Sequence, residues 1–265
     1  MFVAIRCIYS DSHFMISIYL KELKSFLSSL AGYVVLLVFL IATGLLLWVM
    51  PDTNILPNAN ILDYGYASLE QFFAIAPIVL LFLIPAITMK SFADEYKSGT
   101  IEWLMTKPLD MKQIIFGKYF AAVTLAIIGL IPTLIYLYTV NYLAIEGGAI
   151  DVGGVLGSYL GLILLTACFT SIGLFCSSLT DNQIVSFLAA LALSFALYSG
   201  FEGLSRISAF SGGADYYLEL IGIDYHYTSM SRGVIDTRDI VYFLSVIVLF
   251  LALTRYNLLR KRAKA

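Results

Sequence analysis

Charge is scarce in this chain. Of its 265 residues 13% are Asp, Glu, Lys or Arg, while 60% are hydrophobic and the mean hydropathy is positive. Those proportions exclude an ordinary soluble domain and place the chain in the membrane class. Cysteine and histidine are scarcer still, with three Cys and two His. Cys7 stands alone, and Cys168 and Cys176 fall in one predicted helix about 12 Å apart along its axis, too far to bridge within it. With His13 and His226 both outside the long apolar runs, no metal set and no cysteine–histidine pair is expected at membrane depth. The chain also lacks a Gly-x-x-x-x-Gly-Lys-Ser/Thr phosphate loop, so any nucleotide must be handled elsewhere. No cofactor, metal, catalytic residue or nucleic-acid partner is expected.

What the chain has in abundance is long apolar runs. A helix needs roughly 20 mainly apolar residues to cross about 30 Å of hydrocarbon. Six segments qualify: Ala31–Met50, Phe72–Met89, Tyr119–Leu143, Val155–Ser177, Ile184–Phe201 and Ile240–Asn257. The expected fold is therefore all-α, a polytopic membrane protein with the lipid bilayer as its solvent. Their cores hold no ionisable side chain, which disfavours an ion-coupled carrier or channel. An intramembrane enzyme is disfavoured too, because a serine in such a helix is usually packing or hydrogen-bond glue.

The few basic residues are distributed unevenly. Arg6, Lys21 and Lys24 precede the first run, Lys90, Lys97, Lys107, Lys112 and Lys118 lie between the second and third, and Arg255, Arg260, Lys261, Arg262 and Lys264 close the chain. The loops that six alternating spans put on the other side carry only Arg206, Arg232 and Arg238. The positive-inside rule then assigns both termini and the Lys90–Lys118 island to the cytoplasm.

Residues 1–14 read as a tail or an alternative start, and 15–265 as one transmembrane domain. The first apolar run is span-length and lacks a small-residue cleavage pattern, so no cleavable signal is expected. From Met15, Ile16, Leu20, Leu23, Leu27 and Leu30 share one helical face and Ser17, Lys21, Lys24 and Ser28 the other, which predicts an interfacial helix ahead of the first span. Pro77, Pro85 and Pro132 should kink the second and third spans. Gly153, Gly157 and Gly161 recur every fourth residue, a stripe for close helix packing inside the chain or, alternatively, between copies. The connection Glu202–Asp239 is too long for a turn, and its aromatic part after Gly212-Gly213 predicts short helices that dip back toward the bundle.

The island carries the functional signal, since a structured polar connection between two spans suits a docking surface. Gly99 fits a helix N-cap with Glu102 three residues on, and Pro108 ends that short helix. Asp110 then caps the next helix, with Gln113 completing an Asp-x-x-Gln box. Ile101, Leu104 and Met105 form an apolar knob rimmed by Glu102, Thr106 and Lys107, a shape that a partner groove would recognise.

Glu95-x-x-Ser98-Gly99-Thr100-x-Glu102, Pro108 and Gly117-Lys118, with Ser178-Leu-Thr-Asp-Asn-Gln183 and Ser231-Arg-Gly-Val-Ile-Asp236, resemble permeases of the ABC-2 type from Met15 to nearly the end of the chain. Within that superfamily the chain looks most like the permease subunit associated with bacterial gliding motility. The resemblance implies a non-enzymatic multi-pass subunit of a bacterial inner (plasma) membrane that pairs with a second permease, either a copy or a different chain. It also implies cytoplasmic ABC ATPase subunits as partners, ATP-driven substrate movement and export as its direction. Carried over by residue, Glu95, Ser98, Gly99, Thr100, Glu102, Leu104 and Met105, ended by Pro108, would form a cytoplasmic coupling helix, and the stretch from Thr180 to Gln183, with Asp181, a second contact.

Overall fold

The computed structural model describes residues 2–50, 60–61, 68–101, 110–144, 151–207 and 213–263. Of the described residues 86% are helical, and no strand occurs among them. Helix α1 runs Phe2–Leu27 and α2 Leu30–Trp48; α3 is Glu70–Thr88, followed at once by α4, Lys90–Lys97. Helix α5, Met111–Leu130, passes through a single tight turn at Ile131–Thr133 into α6, Leu134–Leu143. Helix α7 is Val152–Leu179, α8 Gln183–Phe195, and a widened turn at Ala196–Gly200 leads to α9, Phe201–Ser205. Two short helices, α10 (Ala214–Glu219) and α11 (Ile223–Ser231), precede the long α12, Thr237–Arg262.

By length and composition, five continuous helical stretches among the described residues can cross a membrane: Glu70–Lys97, Met111–Leu143, Val152–Leu179, Gln183–Ser205 and Thr237–Arg262. A bent pair, Phe14–Leu27 with Gly32–Trp48, whose halves meet at 69°, passes the same test only when taken together, and counted as one span it brings the number to six. Ser29 makes that bend: its backbone is extended and its hydroxyl accepts from Gly32 N at 3.0 Å, capping α2. Helix α1 begins at Phe2, upstream of Met15, so the amphipathic pattern is the later part of a longer helix. Pro77 and Pro85 are carried inside α3, whereas Pro132 coincides with the tight turn between α5 and α6.

Helix α7 is the axis of the bundle, with 78% of its apolar window buried against 22% for the stretch containing α8. Small residues let its neighbours come close. A Cβ added to Gly173 would lie 2.1 Å from Thr88 Oγ1, so α3 crosses there nearly backbone to backbone. Phe72, Leu80 and Ile84 of α3 pack with Leu162, Phe169 and Ile172 of α7 in the fully buried core.

At the end of the bundle away from the island, the chain between α9 and α12 folds back as its aromatic composition predicts. Tyr227 of α11 donates to Phe73 O at 2.7 Å, and Ser158 Oγ of α7 donates to Ser231 O at 2.8 Å. These bonds satisfy groups that hydrocarbon would leave unpaired. Buried His226 ties the three pieces together: its Nδ1 lies 2.7 Å from Asp239 Oδ1, its Nε2 3.0 Å from Leu220 O, and its ring stacks on Tyr242. Gly157 and Gly161 face this layer, the first against Gly233 backbone and the second against Met230 Cβ, each 2.7 Å from an added Cβ. An added Cβ on Gly153 meets only the Asp151 carboxylate, at 3.3 Å. The stripe therefore has an occupant within the chain at two of its three positions.

Candidate coupling face

The island begins as α4, and its geometry is set by one hydroxyl. Ser177 Oγ, near the end of α7, donates to Met89 O at 3.1 Å and accepts from Phe92 N at 3.0 Å and Ala93 N at 3.2 Å. A helix leaves its first amides without partners, and here a neighbouring helix supplies one acceptor for two of them. Phe92 and Ala93 are completely buried beside it. Helix α4 is thus fixed to α7 where the apolar span ends.

A buried cation fixes its other side. Lys118 of α5 is 2% exposed and donates to Glu22 Oε1 at 2.9 Å, Glu95 Oε1 at 2.8 Å and Ser91 O at 2.6 Å. One ammonium therefore joins α1, α4 and α5 with its three donors all used. Lys21 stands at 3.5 Å from Glu22 and 3.7 Å from Glu95, closing a four-charge network. Two further links complete the face. Gln183 Nε2, at the start of α8, donates to Asp94 Oδ1 of α4, and the Lys261 ammonium of α12 lies 3.7 Å from the centroid of the Tyr96 ring. Lys261 and Asn257 also donate to Ser178 O, at 2.9 and 2.7 Å, satisfying a carbonyl at the C-terminal end of α7. Helix α4 is in this way tied to α1, α5, α7, α8 and α12.

Beyond α4 the chain turns outward. Ser98 caps the helix, donating to Asp94 O at 2.7 Å, and Gly99 takes φ +69° with its N–H on Tyr96 O at 3.2 Å. This is the left-handed position that ends a helix, not the half-extended N-cap expected from the spacing; the short α4 itself makes Gly99 its terminator. Ser98, Gly99 and Thr100 are exposed, with 2.8 Å between the Ser98 and Thr100 hydroxyls, and Ile101 turns back into the protein. Glu102, Leu104, Met105 and Pro108 lie outside the described residues. The next helix starts as expected at Asp110, whose carboxylate accepts from Lys112 N at 3.2 Å. The second half of its capping box is not made, since Gln113 Oε1 is buried without a hydrogen-bond partner.

The described part of the first candidate segment, 95–101, and the second, 180–183, thus meet at one end of the bundle. Asp181 and Asn182 are exposed there, Asn182 capping α8 through Ile184 N at 2.9 Å. Glu95 differs from its neighbours: its carboxylate turns inward to Lys118, with the side chain 14% exposed. Glu22, Ser177, Lys118 and Lys261, the groups that hold the face together, are not recognisable as site residues from spacing alone. In sequence Lys118 reads as the last basic residue of the island, directly before the apolar run of α5, and only its burial shows that an unpaired ammonium there would be costly.

Among the described residues no group of three or more His, Cys, Asp or Glu could hold a metal ion. The sequence pattern of the ABC-2 family transporter protein matches residues 16–262, and the chain belongs to that family. It is accordingly a multi-pass membrane permease of an ABC transporter, a component that is not itself catalytic. No curated protein matches the chain significantly.

Proposed function

We propose that this chain is the permease subunit of an ABC-2 exporter in a bacterial inner membrane, with both termini and the island in the cytoplasm. Separate ABC ATPase subunits dock on the face built by α4, the segment after it and residues 180–183, and a second permease, a copy or a different chain, completes the pathway. The sequence motifs alone favour the gliding-motility branch. The observation that carries the coupling role is the anchoring of α4. A push on exposed Ser98–Thr100 or Asp181 meets a helix bonded through Lys118, Ser177, Gln183 and Lys261 to five others, so displacement passes to the spans as rigid-body motion.

The test is the double variant Gly99→Val and Glu102→Lys, purified from detergent extracts beside the unmodified protein. Valine is strained at φ +69°, so the exposed segment shifts while the buried network is untouched. The variant is expected to insert and express normally while recovering much less co-purifying ATPase, with hydrolysis uncoupled from transport. Normal association and coupling would reduce the island to a connector. Sidedness is read in parallel with single cysteines at Ser98 and Val234 in a background lacking Cys7, Cys168 and Cys176. An impermeant reagent should label them from opposite sides.

A further inference from the structure

A cleft of about 290 Å³ opens beside Lys118, between α1, the α3–α4 junction and α5. Each segment that walls it changes character at the same level. Along α3 and α4, Ala86 and Ile87 give way to Lys90, Ser91 and Asp94; along α5, Leu125 and Ala122 give way to Lys118; along α2 and α1, Val35 gives way to Ser29, Ser25, Glu22 and Lys21. Three independent transitions from apolar to charged, side by side, place the cleft across the boundary between acyl chains and headgroups. Its contents must therefore be amphipathic.

The charges select the headgroup. Lys21, Lys90 and Lys118 face Glu22, Asp94 and Glu95, so the rim is balanced and repels neither sign. Lys118 is already saturated by its three acceptors, which leaves exposed Lys21 and Lys90 as the cations open to a phosphate. On the acidic side Asp94 is half-buried on the cleft wall, and the one bond to its carboxylate, from Gln183, falls on Oδ1. A primary ammonium supplies N–H donors to such a carboxylate, whereas a trimethylammonium has none. The volume is small for a ligand pocket, where about 300–1,000 Å³ is usual, and suits a headgroup whose chains run out along the bundle.

We propose that this cleft binds the headgroup of a zwitterionic phospholipid bearing a primary amine, with its ammonium on the carboxylate of Asp94, its phosphate on Lys21 and Lys90, and its chains against Val35, Ile87 and Leu125. The site rests only on the membrane setting of the family, so it stands or falls apart from the docking of an ATPase. Delipidated full-length protein in detergent is titrated with dioleoyl phosphatidylethanolamine, phosphatidylcholine and phosphatidylglycerol, and bound lipid is counted by native mass spectrometry. Phosphatidylethanolamine is expected to bind at least about tenfold more tightly than either other lipid, since one unmatched charged contact is worth that much. Lys21→Ala with Lys90→Ala should lower that affinity by more than it lowers thermal stability, since Lys21 is exposed and meets Glu22 and Glu95 only at 3.5 and 3.7 Å. Equal binding of all three lipids, preference for phosphatidylglycerol, or binding indifferent to the lysine variants would each overturn the proposal.

Discussion

Lys118 offers the sharpest test of how the coupling face is held. In Lys118→Met the chain keeps its length and loses its charge, leaving Glu22 and Glu95 only the exposed Lys21, at 3.5 and 3.7 Å, as a shared cation. Both carboxylate oxygens bond one nitrogen, at 2.9 and 2.8 Å, so they lie within about 6 Å of each other. Two like charges at that separation in an effective dielectric of about 20 repel by about 3 kcal/mol. Removing one partner of a buried pair generally costs about 3–5 kcal/mol, and the 23% exposure of the Glu22 side chain brings the expected cost toward the lower figure. Glu95→Gln keeps the cation and its bond to Glu22, so it should cost less, about 1.5–3 kcal/mol for one charged hydrogen bond. The triple variant Lys118→Met, Glu22→Gln, Glu95→Gln removes the repulsion and should recover stability relative to Lys118→Met alone. Because a bundle of this kind does not unfold in two states, the assay is the order of thermal midpoints in detergent: unmodified protein, then Glu95→Gln, then Lys118→Met, with the triple above the single. An unchanged midpoint for Lys118→Met, or a triple variant less stable than the single, would refute the account.

The spans are legible in the sequence because membrane insertion is decided by local composition, and a run such as Phe72–Met89 announces itself whatever it packs against. Caps are legible for the same reason: Asp110 sits where local chemistry requires it. The polar network is not, because its partners are far apart in the chain. Lys118 and Glu22 are 96 residues apart and Lys261 and Ser178 are 83 apart. No periodicity links such pairs, and a buried lysine reads in sequence as one more basic residue in a cytoplasmic loop. Gly99 is a different case. Glycine serves both N-caps and helix ends, and only the presence of α4 immediately before it decides between them. Glu95 enters the candidate coupling helix through the family resemblance, yet its charge satisfies a cation brought from α5.

Two further outcomes are expected at the opposite end of the bundle. Gly157→Val should displace α11 and the Gly233 turn, since even a Cβ would stand 2.7 Å from Gly233 O, while Gly153→Ala should be tolerated, with only the flexible Asp151 carboxylate at 3.3 Å. Limited proteolysis of the 213–236 region distinguishes them, and equal sensitivity in the two variants would contradict the packing. The second outcome concerns Asp224 of α11, which lines the cleft beside α9 to α12 together with Glu202. Burial raises its carboxyl above the ordinary value of 3.8, and the neighbouring Glu202 raises it further, against a hydrogen bond from Tyr198 that lowers it. A carboxyl whose value is raised by folding contributes stability while protonated, at low pH, and loses that contribution as pH rises through the folded value. Ionised Asp224 therefore opposes folding at neutral pH. Asp224→Asn keeps an acceptor for Tyr198 and carries no charge, so its thermal midpoint should match or exceed that of the unmodified protein at pH 8. The difference should close as pH falls below the ordinary carboxylate value, where both side chains are neutral. A variant less stable at pH 8 by the same margin as at acidic pH would mean that Asp224 contributes through a contact asparagine cannot make, and not through its charge.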